Sequence, residues 1–101
     1  MRMIMLVQLP IEPFNTIARN GSMGTIMRRI LETIKPEAAY FSERDGHRGG
    51  IFVVNVNEDA EVPALAEPWF LEFNATVEFR IAMTPEDLLK ANVDALAKKW
   101  S

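Results

Sequence analysis

Three of the four strands spelled out by this chain are apolar on both faces, and its amphipathic helices suffice to cover only one of those faces. Met3, Met5 and Val7 alternate with Ile4 and Leu6 in the first strand, Ala39 and Phe41 with Ala38 and Tyr40 in the second, and Phe52, Val54 and Val56 with Ile51 and Val53 in the third. Successive strand side chains point to opposite sides, so both sides of such a sheet carry hydrocarbon and both need a cover. A bare second face exceeds the apolar patch a monomer ordinarily exposes. Burying a handful of large side chains there is worth about 8 kcal/mol per subunit before the entropic cost of association. Two covers are available: the same sheet of a second copy, or a trailing helix folded back over it. One short helix hides little of a four-stranded sheet, so a second copy is the expected cover, with a cavity near the seam.

The segments alternate in type along the chain. Met3–Leu9 is a short apolar run closed by Pro10 and reads as strand one. From Phe14 to Ile34 the pattern turns helical, with Met23, Ile26, Met27, Ile30, Leu31 and Ile34 on one stripe. Asn20-Gly21-Ser22 interrupts it, with Ser22 as the expected N-cap of the longer piece. Pro36 ends that helix and Ala38–Glu43 reads as strand two. Asp45-Gly46 is a hairpin signal, and Ile51–Asn57 is a β-branched strand three. Asp59 is placed to cap a second helix carrying Val62, Leu65, Ala66, Trp69, Phe70 and Phe73, in which Pro68 predicts a kink or break. Asn74 ends that helix. Thr76–Met83 alternates as strand four, with Val77, Phe79, Ile81 and Met83 opposite Thr76, Glu78, Arg80 and Ala82. Thr84-Pro85-Glu86-Asp87 is a capping box with proline at the first helical position. It opens one trailing helix with the stripe Leu88, Leu89, Val93, Leu96 and Trp100, and with Lys98 and Lys99 near its C-terminal end.

The order is β-α-β-β-α-β plus a trailing helix, so the expected class is α+β. The expected architecture is a ferredoxin-like four-stranded antiparallel sheet with both crossover helices on one face, in a single domain over 1–101. Composition narrows the function classes. A net charge of −3 disfavours nucleic acid as a partner. No stretch approaches the ~18 apolar residues of a membrane span, and the N-terminal apolar run is too short for a signal core. The chain has no cysteine, which excludes thiolate chemistry and fits a reducing cytoplasm, the expected compartment.

The stretches Pro36-Glu37-Ala38-Ala39-Tyr40-Phe41, Arg48-Gly49-Gly50, Ala66-Glu67-Pro68-Trp69-Phe70-Leu71, Val77-Glu78-Phe79-Arg80 and Met83-Thr84-Pro85-Glu86-Asp87-Leu88 together resemble the dimeric α/β-barrel superfamily. Muconolactone isomerase and cofactor-free quinone-forming monooxygenases belong to it. Within it the chain looks most like a family of stand-alone domains of about this length with no assigned reaction. The resemblance spans nearly the whole chain and implies a homodimer closing a barrel. No catalytic motif of the isomerases or monooxygenases stands intact here. The haem-binding relatives use an axial histidine on a longer chain, whereas the one histidine here lies in a hairpin.

His47, the sole imidazole, is either a general base near neutral pH or an exposed turn residue, and its place beside Asp45-Gly46 favours the turn. A lone histidine makes no metal site, so no metal and no cofactor are expected. Glu78 and Arg80 share the polar face of strand four, either as an ion pair at a seam or as a handle for a ligand carboxylate or enolate. Tyr40 offers a phenol from mid-strand to a bound aromatic or oxyanion, or sits with its hydroxyl at the rim. Asn55 breaks the apolar pattern of strand three and must meet a partner if buried. Phe14, Trp69 and Phe73 are expected either to wall an aromatic pocket or to be plain core. Asn20-Gly21-Ser22-Met23-Gly24 lacks the lysine of a phosphate loop and reads as turn and cap. The expected protein is a homodimer binding a small apolar or aromatic molecule through Phe14, Tyr40, Asn55, Trp69, Phe73, Glu78 and Arg80. The alternative is a cofactor-independent monooxygenase or isomerase acting on an aromatic, quinone or lactone compound through Tyr40, His47 and Arg80.

Overall fold

The computed structural model describes all 101 residues. Strand β1 runs Arg2–Leu9, followed by helices α1 (Phe14–Arg19) and α2 (Met23–Ile34), strand β2 (Ala38–Phe41) and strand β3 (Arg48–Asn55). A short 3-10 turn leads into helix α3 (Val62–Phe73), then strand β4 (Thr76–Ile81) and helices α4 (Pro85–Ala91) and α5 (Val93–Lys99). The sheet order is β2-β3-β1-β4 with every pair antiparallel. This is the split βαβ arrangement.

Alternation decides which residues meet. In register, Tyr40, Ile51, Leu6 and Glu78 form one row across the sheet, and Ala38, Val53, Ile4 and Arg80 the next. Their neighbours Met5, Val7, Phe52 and Val54 point the other way and are buried under α2 and α3 with Ile30, Ile34, Trp69 and Phe73. The hairpin forms where Asp45-Gly46 placed it: both residues have positive φ, and Arg44 and His47 exchange backbone hydrogen bonds at 2.8 Å. β3 begins earlier than expected, at Arg48, and both its glycines are needed. A Cβ on Gly49 would sit 2.8 Å from the Val7 carbonyl oxygen, and one on Gly50 would sit 2.6 Å from the Phe52 ring. Gly50 lets Phe52 lie down over its own strand. Gly49 lets the carbonyl oxygens of Val7 in β1 and Ser42 just past β2 come close, the latter 3.0 Å from where its Cβ would stand.

Four expectations are corrected. Ser22 precedes α2 but makes no capping bond; its amide donates instead to Asn20 Oδ1 at 3.1 Å. Asp59 lies in the 3-10 turn, and α3 is preceded by Glu61, whose carboxylate accepts from the Asn57 amide at 2.9 Å. Pro68 neither breaks nor splits α3. Burial of Ala66, Trp69 and Phe73 on both sides of the proline outweighs its lost hydrogen bond, and Ala64, whose carbonyl loses its donor, is exposed to water.

The trailing segment is two helices rather than one. The capping box is present, with Asp87 N–H donating to Thr84 Oγ1 at 3.1 Å and Thr84 N–H to Asp87 Oδ2 at 3.0 Å. Asn92 then takes a left-handed conformation (φ 52°) and caps α5 through its side chain. This elbow ends α4 after seven residues. The arm lies against neither face of its own sheet: every residue from Pro85 to Ser101 is exposed. The molecule measures 60 × 28 × 20 Å, with a radius of gyration of 17.0 Å against about 13 Å for a chain of this length folded into a ball.

Candidate functional site

The sequence-predicted residues fall in three places. Tyr40, Asn55, Glu78 and Arg80 lie on the open face of the sheet, Trp69 and Phe73 in the core, and Phe14 and His47 beside a cleft on the helix side.

The open face has an apolar centre and an ionic rim. Leu6 is buried and Ile4 and Val53 half-buried, whereas Ile51 is 39% and Tyr40 68% exposed. On one side, Glu78 accepts from Arg44 Nη2 at 3.2 Å and from Arg80 Nη2 at 3.4 Å. On the other, both carboxylate oxygens of Glu37 accept from Arg2 Nε, at 3.0 and 3.1 Å, and Oε1 also accepts from Asn55 Nδ2 at 2.6 Å. Glu78 and Arg80 are therefore paired, as expected, but inside a three-residue chain with Arg44, and Asn55 is satisfied by Glu37. Tyr40 stands on β2 and Arg80 on β4, at opposite margins, so the three candidate catalytic groups Tyr40, His47 and Arg80 do not converge within one chain.

Arg2 foremost, and then Asn55, hold the Glu37 carboxyl below its ordinary value of 4.5. A depressed carboxylate stabilises the fold above the unfolded value and loses that contribution as pH falls through the folded one. Glu37→Gln should therefore lower the urea midpoint near neutral pH, and its difference from the parent should shrink as pH falls below about 4.5. A difference that stays constant down to acid would show that the ion pair contributes nothing.

The cleft holds about 530 Å³ and lies between the hairpin and the start of α2. Leu9, Phe14, Met23, Met27 and Phe41 line it, with Glu43, His47 and Arg48 at its edge. Aromatic rings run under the sheet from one wall to the other. Phe41 meets Phe52 edge-on at 5.6 Å, Phe52 meets Trp69 at 5.1 Å, Trp69 meets Phe73 at 6.2 Å, and Phe73 meets Phe14 at 5.5 Å. Trp69 and Phe73, both 0% exposed, are thus not walls but the backing of the walls Phe41 and Phe14. The Arg48 guanidinium lies 4.2 Å over the Phe14 ring and makes no ion pair. Glu43 is tied to the turn, accepting from Gly46 N–H at 2.7 Å. His47 Nδ1 lies 3.3 Å from Gln8 Nε2 and 3.1 Å from the Asp45 carbonyl oxygen, so its partners are an amide and a carbonyl rather than an acid or nucleophile.

The arrangement suits binding: aromatic and thioether walls that adapt to shape, and one unpaired cation at the mouth. Sequence reasoning missed Leu9, Met23, Met27, Phe41, Glu43 and Arg48. The available signal was the spacing of Met23 and Met27 at the near end of the α2 stripe, together with the arginine opening β3. What brings them together is the fold of the hairpin back toward α1.

No family model matches the chain, and no curated protein does. Among solved structures it is similar to the de novo designed protein Ferredog-Diesel, with a TM-score of 0.41 and 14% identity over 79% of this chain and 83% of that one. A likeness at that level carries no argument, and the description of the fold rests on strand order and register. No helix is long and apolar enough to cross a membrane.

Proposed function

We propose that this protein is a homodimer that binds a small, largely apolar molecule with an anionic end in the cleft beside Phe14. The observation that carries the ligand reading is the cleft itself: about 530 Å³ between aromatic and methionine walls, with the unpaired Arg48 guanidinium over Phe14. Its size is that of small-molecule sites. Arg48 is the group to hold a carboxylate or sulfonate, while Phe14, Phe41 and Met27 receive the apolar body. The dimer is supported by the open face, whose apolar centre and charged rim have the anatomy of a protein interface. Two such faces packed together would close the α/β barrel implied by the sequence resemblance.

A fluorescent anilinonaphthalene sulfonate, an aromatic body with one anionic group, tests the site. One molecule per chain is expected to bind saturably. Arg48→Gln should weaken it about tenfold, the worth of one charge-assisted hydrogen bond. Met27→Trp should weaken it by narrowing the cleft at one wall. Undiminished binding by Met27→Trp would remove the cleft as the site. Light scattering at micromolar concentration should return twice the mass of the chain, and a single-chain mass would refute the dimer.

A further inference from the structure

We infer that the C-terminal arm of each chain clasps a second copy, laying the stripe of Leu89, Val93, Leu96 and Trp100 against the partner's β2 margin at Tyr40 and Phe41. The inference rests on the dimer proposed above and adds the element that fastens it.

Two unpartnered apolar surfaces occupy one molecule. The arm exposes Leu89 at 78%, Val93 at 55%, Leu96 at 49% and Trp100 at 80%; at the β2 margin Tyr40, 68% exposed, faces the open side and Phe41, 54% exposed, the cleft side, so an arm seated there wraps the free edge of the strand. They lie at opposite edges of the sheet, because the arm leaves β4 and the bare margin is β2. To reach its own margin the arm would have to double back across three strand spacings, roughly 14 Å. Its exit is held against that by the reciprocal Thr84–Asp87 capping bonds and by Pro85. A facing copy turned by a two-fold axis along the strands presents its β2 margin to that arm. The same operation seats both arms, so the contact closes at two chains.

Charge agrees with this pairing. Lys98 and Lys99 lie in the last turn of the arm, and β2 leads into Glu43 and Asp45, which make no ion pair within their own chain, whereas Glu37 at its other end is already held by Arg2. Along α5 and its C-cap, Val93, Leu96 and Trp100 follow at steps of three and four and share one side, and Leu89 lies on α4 just before the Asn92 elbow. Phe41 is also a wall of the cleft, so a seated arm borders the partner's ligand site.

The chain has no cysteine of its own, which permits site-specific labels on the full-length protein. A spin label at Leu96→Cys in one population and another at Tyr40→Cys in a second are mixed and re-equilibrated. A short label-to-label distance is expected in the mixture, and it should vanish on dilution with excess unlabelled parent chain. Both labels placed in the same chain, with a short distance that survives such dilution, would put the arm on its own sheet and overturn the inference. So would a mixture with no short distance. In parallel, Leu96→Lys should raise the dimer dissociation constant at least thirtyfold, a scale ordinary for an anchor side chain. Because Leu96 lies on the exposed arm, this change leaves the body folded. If the parent chain is a dimer and Leu96→Lys dimerises equally well, the clasp fails while the dimer stands. If the parent chain is a monomer, the dimer itself fails.

Discussion

Trp69→Ala is expected to lose about 4 kcal/mol of folding stability, near the upper range for removing a buried aromatic side chain. Trp69 is 0% exposed and stands between Phe52 and Phe73, at ring distances of 5.1 and 6.2 Å. Its removal leaves a hole that α3 cannot close, because Ala66 and Phe73 hold the helix against the sheet at the neighbouring turns. A domain of this size has about 5–15 kcal/mol in total, so the variant should sit close to unfolding at physiological temperature. Urea titration at fixed protein concentration should show a lower midpoint with little change of slope. Trp69→Phe should be far milder: the indole Nε1 finds no acceptor within the protein, so losing that N–H breaks no hydrogen bond. The cleft should feel the change too, since Phe41 and Phe14 both lean on this row of rings. A Trp69→Ala loss under about 1 kcal/mol would mean that the row is not the keystone of the packing described here.

Ile51→Asp is expected to raise the dimer dissociation constant at least a thousandfold while leaving the protomer folded. Ile51 lies in the middle row of the open face, between Tyr40 and Leu6, and points away from the core. In the proposed dimer a carboxylate there meets the apolar centre of the seam, and two-fold symmetry places it there twice. An uncompensated buried charge costs several kcal/mol, and about 4 kcal/mol is a factor of a thousand. Glu37 is paired with Arg2, and Glu78 already holds both Arg44 and Arg80, so a new carboxylate at position 51 gains a partner only by drawing one of these arginines away from Glu78. Sedimentation equilibrium reads the association and circular dichroism the fold. A variant that remains a tight dimer would place the seam elsewhere than on the sheet.

Trp69 lies on α3 in the core and Ile51 on the open side of β3, and the reason the two substitutions act so differently was legible in the residue pattern. Period-two alternation separates Ile51 from Phe52 by face, and the residues it grouped on one side of each strand share a side in the structure. The hairpin at Asp45-Gly46 and the capping box at Thr84 were legible for a similar reason: each is a local conformational preference satisfied within four residues. Pro68 was misread because a local preference lost to a non-local one. The cost of a proline inside a helix, about 3 kcal/mol, is outweighed by the combined burial of Ala66, Trp69 and Phe73 on the same element. Ser22 and Asp59 were misread because capping depends on backbone geometry as well as residue type: Ser22 takes a helical conformation before α2, Asp59 lies inside the 3-10 turn, and neither α2 nor α3 has a side-chain cap.

The candidate site was the least legible part. Phe14 and His47 were named for a site and do stand beside the cleft, but Trp69 and Phe73 proved to be its backing, and Tyr40, Asn55, Glu78 and Arg80 lie on the other side of the sheet. A cleft is made by residues distant in the chain, here Leu9, Phe14, Met27, Phe41 and Arg48, and no periodicity links them.

The order of the strands and the two-sided apolar sheet follow from the amino-acid pattern alone, because they depend on spacing within single strands and helices. The course of the trailing helices, the continuity of α3 through Pro68 and the meeting of Arg48 with Phe14 were settled only by tertiary structure. They depend on which surfaces come within van der Waals reach once the sheet has twisted and closed, and one dimension of sequence does not carry that distance.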